Sequence, residues 1–199
     1  MTTRREFLKG SLIIQGAIAL ASAPAAIAQE RALRPTPACG DNTQLTASQT
    51  EGPYFKPRSP LRTSLLEPGM VGTRIVVVGW VLTTDCRPIP RALLDFWQAD
   101  DRGGYDNAGY RLRGHQFTDN GGRYRLETVV PGLYPGRTRH VHVKVQAPNQ
   151  PMLTTQLYFP GESANRSDFI FNPALVLKVE EADAGRVATF DFVLKEGRQ

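Results

Sequence analysis

Short apolar stretches separated by glycine- and proline-containing turns run along most of this chain. The stretch "TRIVVVGWVL", Thr73–Leu82, is an unbroken β-branched run, which predicts a strand covered on both faces. The stretch "VATFDFVL", Val187–Leu194, instead alternates two sets of side chains, as a strand does when its two faces differ. Apolar residues nowhere recur at three- and four-residue spacing over a dozen positions, so long helices are not expected. The pattern predicts an all-β fold of mostly antiparallel strands with long loops and few short helices, arranged as a β-sandwich or a barrel.

Further segments of the chain are also predicted to form strands. "ALLDFWQA", Ala92–Ala99, is a second apolar run, and two β-rich stretches follow at His140–Ala147 and Leu153–Phe159. Between the second apolar run and these two stretches lies "HQFTDNGGRYRLE", His115–Glu127, in which the turn-forming residues "DNGG" separate two short β-rich pieces. That arrangement predicts a hairpin.

The first 28 residues have the pattern of an export signal. Arg4 and Arg5 precede an apolar run that ends in an Ala-x-Ala sequence at Ala26–Ala28. The stretch "RREFLK" is typical of the twin-arginine version of such a signal, which implies the export machinery as a partner. We therefore expect a periplasmic or secreted protein, although retention of the segment as an anchor stays open. Residues 29–50 are expected to form an extended entry arm, and residues 51–199 a single domain.

Charge and cysteine content narrow the partners further. The chain carries a formal net charge of +5, part of it in the signal, and the other arginines are scattered with no basic run among aromatics. Nucleic-acid binding is therefore not expected. Cys39 and Cys86 would be free to pair in an oxidising periplasm, but the sequence does not show whether they meet.

Two of the three histidines lie one residue apart in "YPGRTRHVHVKV", Tyr134–Val145. Residues two apart on a strand point to the same face, so His140 and His142 share a face and the alternating valines share the other. Such a pair supplies two ligands to one metal, or it is merely the polar face of a half-exposed strand. The pair alone does not decide between these interpretations.

Nearby tyrosines widen the candidate ligand set. Tyr134 lies six residues before His140, across a Pro-Gly turn that would fold its phenol back beside the imidazoles. Tyr105 lies in the glycine-rich loop "DDRGGYDNAGY" after the second apolar run. Phenolate oxygen suits ferric iron, whereas imidazole suits iron, copper and zinc alike. Composition alone does not single out these two phenols from the six tyrosines, whose ordinary role is packing.

Four motifs, taken in their order along the chain, resemble the intradiol ring-cleavage dioxygenases. That family comprises the catechol, hydroxyquinol and protocatechuate enzymes that use non-haem ferric iron. The motifs are "TEGPYF" (Thr50–Phe55), "DFWQADDRGGY" (Asp95–Tyr105), "TDNGGRYRLETVVPGLYPGRTRHVHVKV" (Thr118–Val145) and "TTQLYF" (Thr154–Phe159). The resemblance covers about residues 50–194, and it implies a β-sandwich with Fe(III) bound among loops and strands at one side.

Matched position by position, the resemblance implies roles for individual residues. The implied metal ligands are Tyr105, Tyr134, His140 and His142. Tyr134 matches the axial tyrosinate that leaves the metal when substrate binds, which also makes it catalytic. Arg137 matches an arginine held over the substrate ring, and Gln156 matches a glutamine close to it. The implied pocket walls are Gly52, Pro53, Tyr54 and Trp97.

The implied activity is insertion of both atoms of O2 between the two hydroxylated carbons of a catechol-type aromatic, giving a muconate-type diacid. The span from Tyr134 to the histidine pair is shorter than in the well-known family members, which removes one pocket wall and leaves the substrate open. One alternative is a cupin-like metalloprotein, but cupins need a Glu shortly after the second histidine and "VKVQAPNQ" offers none. A second alternative is a non-enzymatic β-sandwich binding module. The oligomeric state also stays open, with a homo-oligomer formed through a sheet or the arm as one option.

Overall fold

This computed structural model describes residues 44–182 and 185–195, and the structural statements below concern those residues. They form nine strands: β1 (Arg74–Thr83), β2 (Leu93–Trp97), β3 (Arg113–Phe117), β4 (Arg123–Val129), β5 (His140–Gln146), β6 (Leu153–Tyr158), β7 (Lys178–Ala182), β8 (Gly185–Thr189) and β9 (Phe192–Leu194). Two short 3-10 helices, Ser163–Arg166 and Pro173–Leu175, complete the regular structure of this part of the chain. None of its helices is long and apolar enough to cross a membrane.

The strands form two sheets. One has the order β4-β1-β8-β7, with β9 pairing the far end of β1, and the other has the order β3-β2-β5-β6. All pairs in the second sheet are antiparallel, whereas β1 runs parallel to both β8 and β9. The expected all-β sandwich of mostly antiparallel strands is thus confirmed.

The core lies between the two sheets. It contains apolar side chains from both, among them Ile75, Val77 and Leu126 of the first sheet and Leu94, Phe96, Val141, Val143, Val145 and Leu157 of the second. The three valines of β5 are at most 1% exposed, which confirms that they form the core-facing side of that strand. Since strand side chains alternate between faces, the histidines of β5 point away from this core.

The predicted hairpin at residues 115–127 is wrong. The turn itself forms, with the Gly122 amide donating to the Asp119 carbonyl at 3.0 Å. However, β3 pairs with β2 in one sheet and β4 pairs with β1 in the other. The turn therefore carries the chain between the two layers, because its residues determine a reversal of direction but not which strand the next segment joins.

The alternating stretch near the carboxyl end forms two strands rather than one. The break between β8 and β9 falls at Phe190 and Asp191, where the Asp191 carboxylate accepts a hydrogen bond from the Trp80 amide at 3.0 Å. Gly79 permits this close approach, because a Cβ at that position would lie 1.8 Å from the Phe190 carbonyl oxygen.

Residues 44–50 of the predicted entry arm have no regular secondary structure. They run along the sandwich, and the Gln49 amide donates to the Thr154 carbonyl of β6 at 2.8 Å. The predicted export signal, residues 29–43 and Cys39 lie outside the described residues. The domain boundaries and the pairing of Cys39 with Cys86 therefore stay predictions.

Candidate active site

The predicted site residues of the strands lie on the outer face of the second sheet. Across β2, β5 and β6 the strand register places Trp97, His142 and Gln156 directly opposite one another, and it places His140 opposite Tyr158. Residues opposite each other in an antiparallel pair point to the same face. These five side chains therefore share one surface, on the side of the sheet away from the core.

The two imidazoles of β5 converge through the same ring nitrogen. The Nε2 atoms of His140 and His142 are 3.1 Å apart, and both side chains are buried. Two imidazole nitrogens bound at about 2.1 Å to one ion lie roughly 3 Å apart when their bonds are at right angles. The observed separation therefore suits two adjacent ligands of a single metal.

Hydrogen bonding and stacking orient each ring. His140 donates from Nδ1 to the Thr138 carbonyl at 2.6 Å, which leaves its Nε2 as an acceptor. The ring of His142 stacks on Trp97, with centroids 4.8 Å apart and planes 6° from parallel. Its Nδ1 is buried and has no hydrogen-bond partner among the described residues. Trp97, predicted as a pocket wall, is in this structure the platform that fixes the plane of His142.

Burial keeps both imidazoles neutral. Desolvation lowers the pKa of His140 to about 4 and that of His142 well below its ordinary value. The positive charge of Arg137 lowers the pKa of both rings further. Neutral imidazole is the form that binds a metal ion, so both candidate ligands are in the binding form at neutral pH.

Both predicted phenols lie beside the imidazoles. Tyr105 is in the loop between β2 and β3, with its ring centroid 6.4 Å from that of His142 and 6.1 Å from that of Tyr134. The predicted Pro-Gly turn after Tyr134 forms, since Gly136 has a φ of 78° and the Arg137 amide donates to the Tyr134 carbonyl at 2.9 Å. The structure thus brings together all four predicted ligands, although the ligand assignment itself stays a prediction.

Glycines allow the loops that carry the two phenols to touch. The Asp100 carboxylate accepts from the Gly104 amide at 2.9 Å, and the Asp100 carbonyl accepts from the Gly132 amide at 2.6 Å. Gly103 has a φ of 88°, and a Cβ there would lie 2.1 Å from the Leu133 carbonyl oxygen. The "DRGG" and "PGLY" sequences therefore set the spacing between Tyr105 and Tyr134.

The "EGPYF" segment covers the phenols and the imidazoles. The ring of Tyr54 stacks on Tyr105 at 4.3 Å, and its hydroxyl lies 2.9 Å from the hydroxyl of Tyr134. A Cβ on Gly52 would lie 3.4 Å from the Cε1 atom of His142. Of the four predicted pocket walls, Gly52, Tyr54 and Trp97 contact candidate ligands, whereas Pro53 is exposed.

Two cations hold this segment in place. Lys144, on the same face of β5 as the histidines, forms an ion pair with Glu51, and its Nζ lies 3.9 Å from the centroid of the Phe55 ring. The guanidinium of Arg113 donates to the Tyr54 carbonyl at 2.6 Å and is buried. Neither cation was among the predicted site residues, because only the folded chain brings it to this segment.

Arg137 and Gln156 contact each other as well as the rest of the site. The Nη2 atom of Arg137 donates to Oε1 of Gln156 at 2.6 Å, and Gln156 Nε2 donates to the Thr50 carbonyl at 2.9 Å. The Nε atom of Arg137 donates to Oδ2 of Asp168 at 2.9 Å. Asp168 was not predicted, since it lies in a loop after the first 3-10 helix and its sequence context carries no motif.

Comparison with known proteins places the chain in a family. Residues 50–196 match the family model described as dioxygenase. The hydroxyquinol 1,2-dioxygenase of Nocardioides simplex is 29% identical over 172 residues, covering 73% of this chain and 58% of that protein. The protocatechuate 3,4-dioxygenase beta chain of Burkholderia cepacia is 34% identical over 119 residues, covering 51% of each. The chain thus spans little more than half the length of these curated relatives.

Solved structures extend the likeness to the fold. The dioxygenase domain of a dioxygenase–carbohydrate-binding fusion from the cellulolytic bacterium Streptomyces sp. SirexAA-E is 56% identical with a TM-score of 0.76, covering 77% of this chain and 100% of that one. The 3-chlorocatechol 1,2-dioxygenase of Rhodococcus opacus 1CP is 28% identical with a TM-score of 0.72, covering 76% of this chain and 73% of that one. The matched motifs, the sandwich and these relatives agree, and this chain belongs to the intradiol dioxygenase family.

Proposed function

We propose that the protein is an intradiol dioxygenase that cleaves a catechol-type aromatic between its two hydroxylated carbons, using O2 and a non-haem Fe(III) ion, to give a muconate-type diacid. The observation that carries this proposal is the convergence of two neutral imidazoles and two phenols at one place on the sheet. The positive charge of Arg137 acts on that place, since it lowers the pKa of His140 and opposes the rise in the pKa of Tyr105.

The residues present fit ferric iron. Phenolate oxygen is a hard anionic ligand, which favours a trivalent ion and distinguishes this set from the carboxylate-containing set of a cupin-type site. His140 and His142 would supply the nitrogen ligands, and Tyr105 and Tyr134 the oxygen ligands. When bound, the ion would acidify the coordinated phenols and the substrate hydroxyls and bring the substrate dianion into electronic contact with O2.

Tyr134 and Tyr54 are placed to handle a substrate proton. A Tyr134 phenolate can accept a proton from a substrate hydroxyl as a general base. The Tyr54 hydroxyl, 2.9 Å away, can donate to that phenolate beforehand and accept from the phenol afterwards. This hydrogen bond raises the pKa of Tyr54, with burial adding to the effect, so Tyr54 stays protonated as the donor.

Arg137 is placed to stabilise negative charge that develops on the ring and on the incoming oxygen. Its guanidinium is fixed on two edges, by Gln156 and by Asp168, before any substrate arrives. A cation that is already oriented stabilises charge in the transition state without paying for reorganisation. Trp97 and the "EGPYF" segment help to exclude water from the imidazoles.

The visible absorption spectrum of the aerobically isolated, iron-loaded protein tests the proposal. A tyrosinate bound to Fe(III) gives a red charge-transfer band, and we expect that band to shift when catechol is added without oxygen. Admission of O2 should then yield a ring-opened diacid with consumption of one O2 per ring. A cupin-type iron or zinc site would bind metal without the band, and a non-enzymatic module would bind no iron. A protein that stays colourless after ferric loading and leaves catechol intact would overturn the proposal.

The substrate class follows from what the named relatives share. By their names they act on hydroxyquinol, protocatechuate and 3-chlorocatechol, all of which carry two adjacent ring hydroxyls. We propose a compound of that class for this chain without choosing among its substituents.

We further propose that the chain is exported to the periplasm or beyond by the twin-arginine route. The support is the Arg4-Arg5 pair, the apolar run and the Ala-x-Ala sequence, all of which lie outside the described residues.

A further inference from the structure

We propose that Asp168 is a positioning residue whose one buried carboxylate fixes both the guanidinium of Arg137 and the backbone of Thr138, whose carbonyl orients His140. The inference rests on the proposed function, because Arg137 and His140 matter only if the site performs the proposed chemistry. It adds a residue that no motif marked.

The Asp168 carboxylate is surrounded by donors. The residue is 6% exposed, and its Oδ2 atom accepts from Arg137 Nε and from the Thr138 amide, both at 2.9 Å. Its Oδ1 atom accepts from the Ile170 amide at 3.1 Å. Burial alone would raise the pKa of this carboxyl, but these hydrogen bonds and the charge of Arg137 together lower it, so the group is anionic.

The first consequence concerns the guanidinium. Arg137 is gripped at Nε by Asp168 and at Nη2 by Gln156, which fixes the plane of its fork. Arg137 also forms a side-chain hydrogen bond with Tyr158. The grip therefore holds the guanidinium in a fixed direction before a ligand enters the site.

The second consequence concerns the backbone of Thr138. The Thr138 amide donates to Asp168, while the carbonyl of the same residue, in the next peptide unit, accepts from Nδ1 of His140 at 2.6 Å. A carbonyl oxygen only accepts, so Nδ1 of His140 carries the proton and Nε2 presents its lone pair. Since a hydrogen bond to one ring nitrogen determines the state of the other, Asp168 acts on the candidate ligand through the backbone of one residue.

The loop that carries Asp168 is held by hydrogen bonds from two other parts of the chain. The Ile170 carbonyl, two residues after Asp168, accepts from the Tyr158 hydroxyl and from Gln49 Nε2, each at 3.1 Å. The loop is thereby tied to β6 and to the arm. Removal of the charge would leave the shape of this loop intact but weaken the hold on Arg137, because charge-assisted hydrogen bonds are the stronger ones.

The test compares the iron-loaded full chain with its Asp168→Asn variant. We expect kcat for catechol to fall by about tenfold or more while KM changes by less than about threefold, because the cation acts mainly on charge in the transition state. Iron content should be retained. Asp95→Asn is the matched control, since Asp95 is a partly buried carboxylate of β2 whose hydrogen-bond partner is Ser59, and it should leave kcat unchanged.

A double-mutant cycle separates positioning from general destabilisation. If Asp168 acts through Arg137, the Asp168→Asn change should cost little further kcat in an Arg137→Ala background. Losses that simply multiply, or an Asp168→Asn enzyme with full kcat, would overturn the inference. If Asp168→Asn does not fold, Arg137→Lys replaces it: a lysine cannot span both partners and should lose kcat, and full kcat in that variant would equally overturn the inference.

A measurement on the metal-free protein keeps this inference separate from the proposed function. In ¹⁵N-histidine-labelled protein, the Nδ1–H of His140 should exchange with solvent at least about tenfold faster in Asp168→Asn than in the parent. The Nδ1 of His115, 2.7 Å from the Ser59 carbonyl, serves as the internal reference. If the parent cleaves no catechol, the proposed function fails while this exchange measurement still decides the role of Asp168. Unchanged exchange would remove the link to His140.

Discussion

Burial acts on the two imidazoles of the site and on the Tyr105 phenol in opposite directions on the pKa scale and yet leaves all three neutral. It lowers the pKa of His140 to about 4, and it raises the pKa of Tyr105 above its ordinary value. These three rings are therefore uncharged groups, which tolerate each other at short range. A trivalent ion would displace the two phenol protons, and the resulting phenolates would leave a net charge of only about +1.

Replacement of one imidazole tests this ligand set. In His140→Ala, one nitrogen is lost and His142 stands alone, so we expect the protein to lose bound iron and its colour, with affinity falling by more than the ~10–100-fold typical of supporting residues. Iron content and visible absorbance after purification measure this directly. His115→Ala is the matched control, because the His115 ring hydrogen-bonds to Ser59 and His115 lies on β3, opposite Asp95 rather than opposite a candidate ligand. Full iron content and activity in His140→Ala would show that the ligand assignment is wrong.

At this scale, the sequence predicted the residues that motifs mark and missed those that only folding brings in. The strand period placed His140 and His142 on one face, and the Pro-Gly turn after Tyr134 formed as expected. Asp168 lies 31 positions after Arg137 and was missed, because no local pattern records a contact over that separation.

At the scale of elements, period and composition predicted the strands, but turn chemistry did not predict how they pair. β1, β2, β5 and β6 lie where the apolar and alternating runs placed them. The residues between β3 and β4 form the predicted turn, yet the two strands join different sheets. Pairing depends on which faces can be buried together, and this information is spread over the whole chain.

The contact between the two phenol-bearing loops can be tested with one methyl group. In Gly103→Ala, the new Cβ would lie 2.1 Å from the Leu133 carbonyl, so the loops must separate and Tyr105 must move away from Tyr134. We expect loss of the charge-transfer band and destabilisation by several kcal/mol, of which only roughly 1–2 kcal/mol comes from the positive φ itself. Thermal unfolding and the visible spectrum measure the two effects.

Gly161→Ala provides the control for that substitution. Gly161 has a φ of 74°, close to the 88° of Gly103, but no atom lies within 4 Å of a Cβ placed there. It should therefore show the backbone cost alone and keep the colour. Equal effects of the two substitutions would mean that the close approach of the loops does not set the phenol spacing.

At the scale of the whole molecule, stability and chemistry are assigned to opposite faces of one sheet. β5 turns its valines to the sandwich core and its histidines to the outer face, so the same strand contributes to both. The "EGPYF" segment then covers that outer face, with Lys144 and Arg113 holding it. Because so much of the site is formed by loops and by this segment, it exists only once the whole sandwich has folded.

That dependence connects the site to the proposed route of export. A site assembled only in the folded chain is best loaded with iron before translocation, which suits a pathway that carries folded proteins.

In a bacterium with a twin-arginine pathway, the double substitution Arg4→Lys and Arg5→Lys should leave the protein in the cytoplasm, because a receptor-read signal distinguishes arginine from lysine at equal charge. Cell fractionation, with the red band as a marker of loaded protein, measures the distribution. Arg31→Lys with Arg34→Lys, beyond the Ala-x-Ala sequence, is the charge-matched control and should export normally. Equal export of both variants would show that the arginine pair is not the signal, whatever chemistry the sandwich performs.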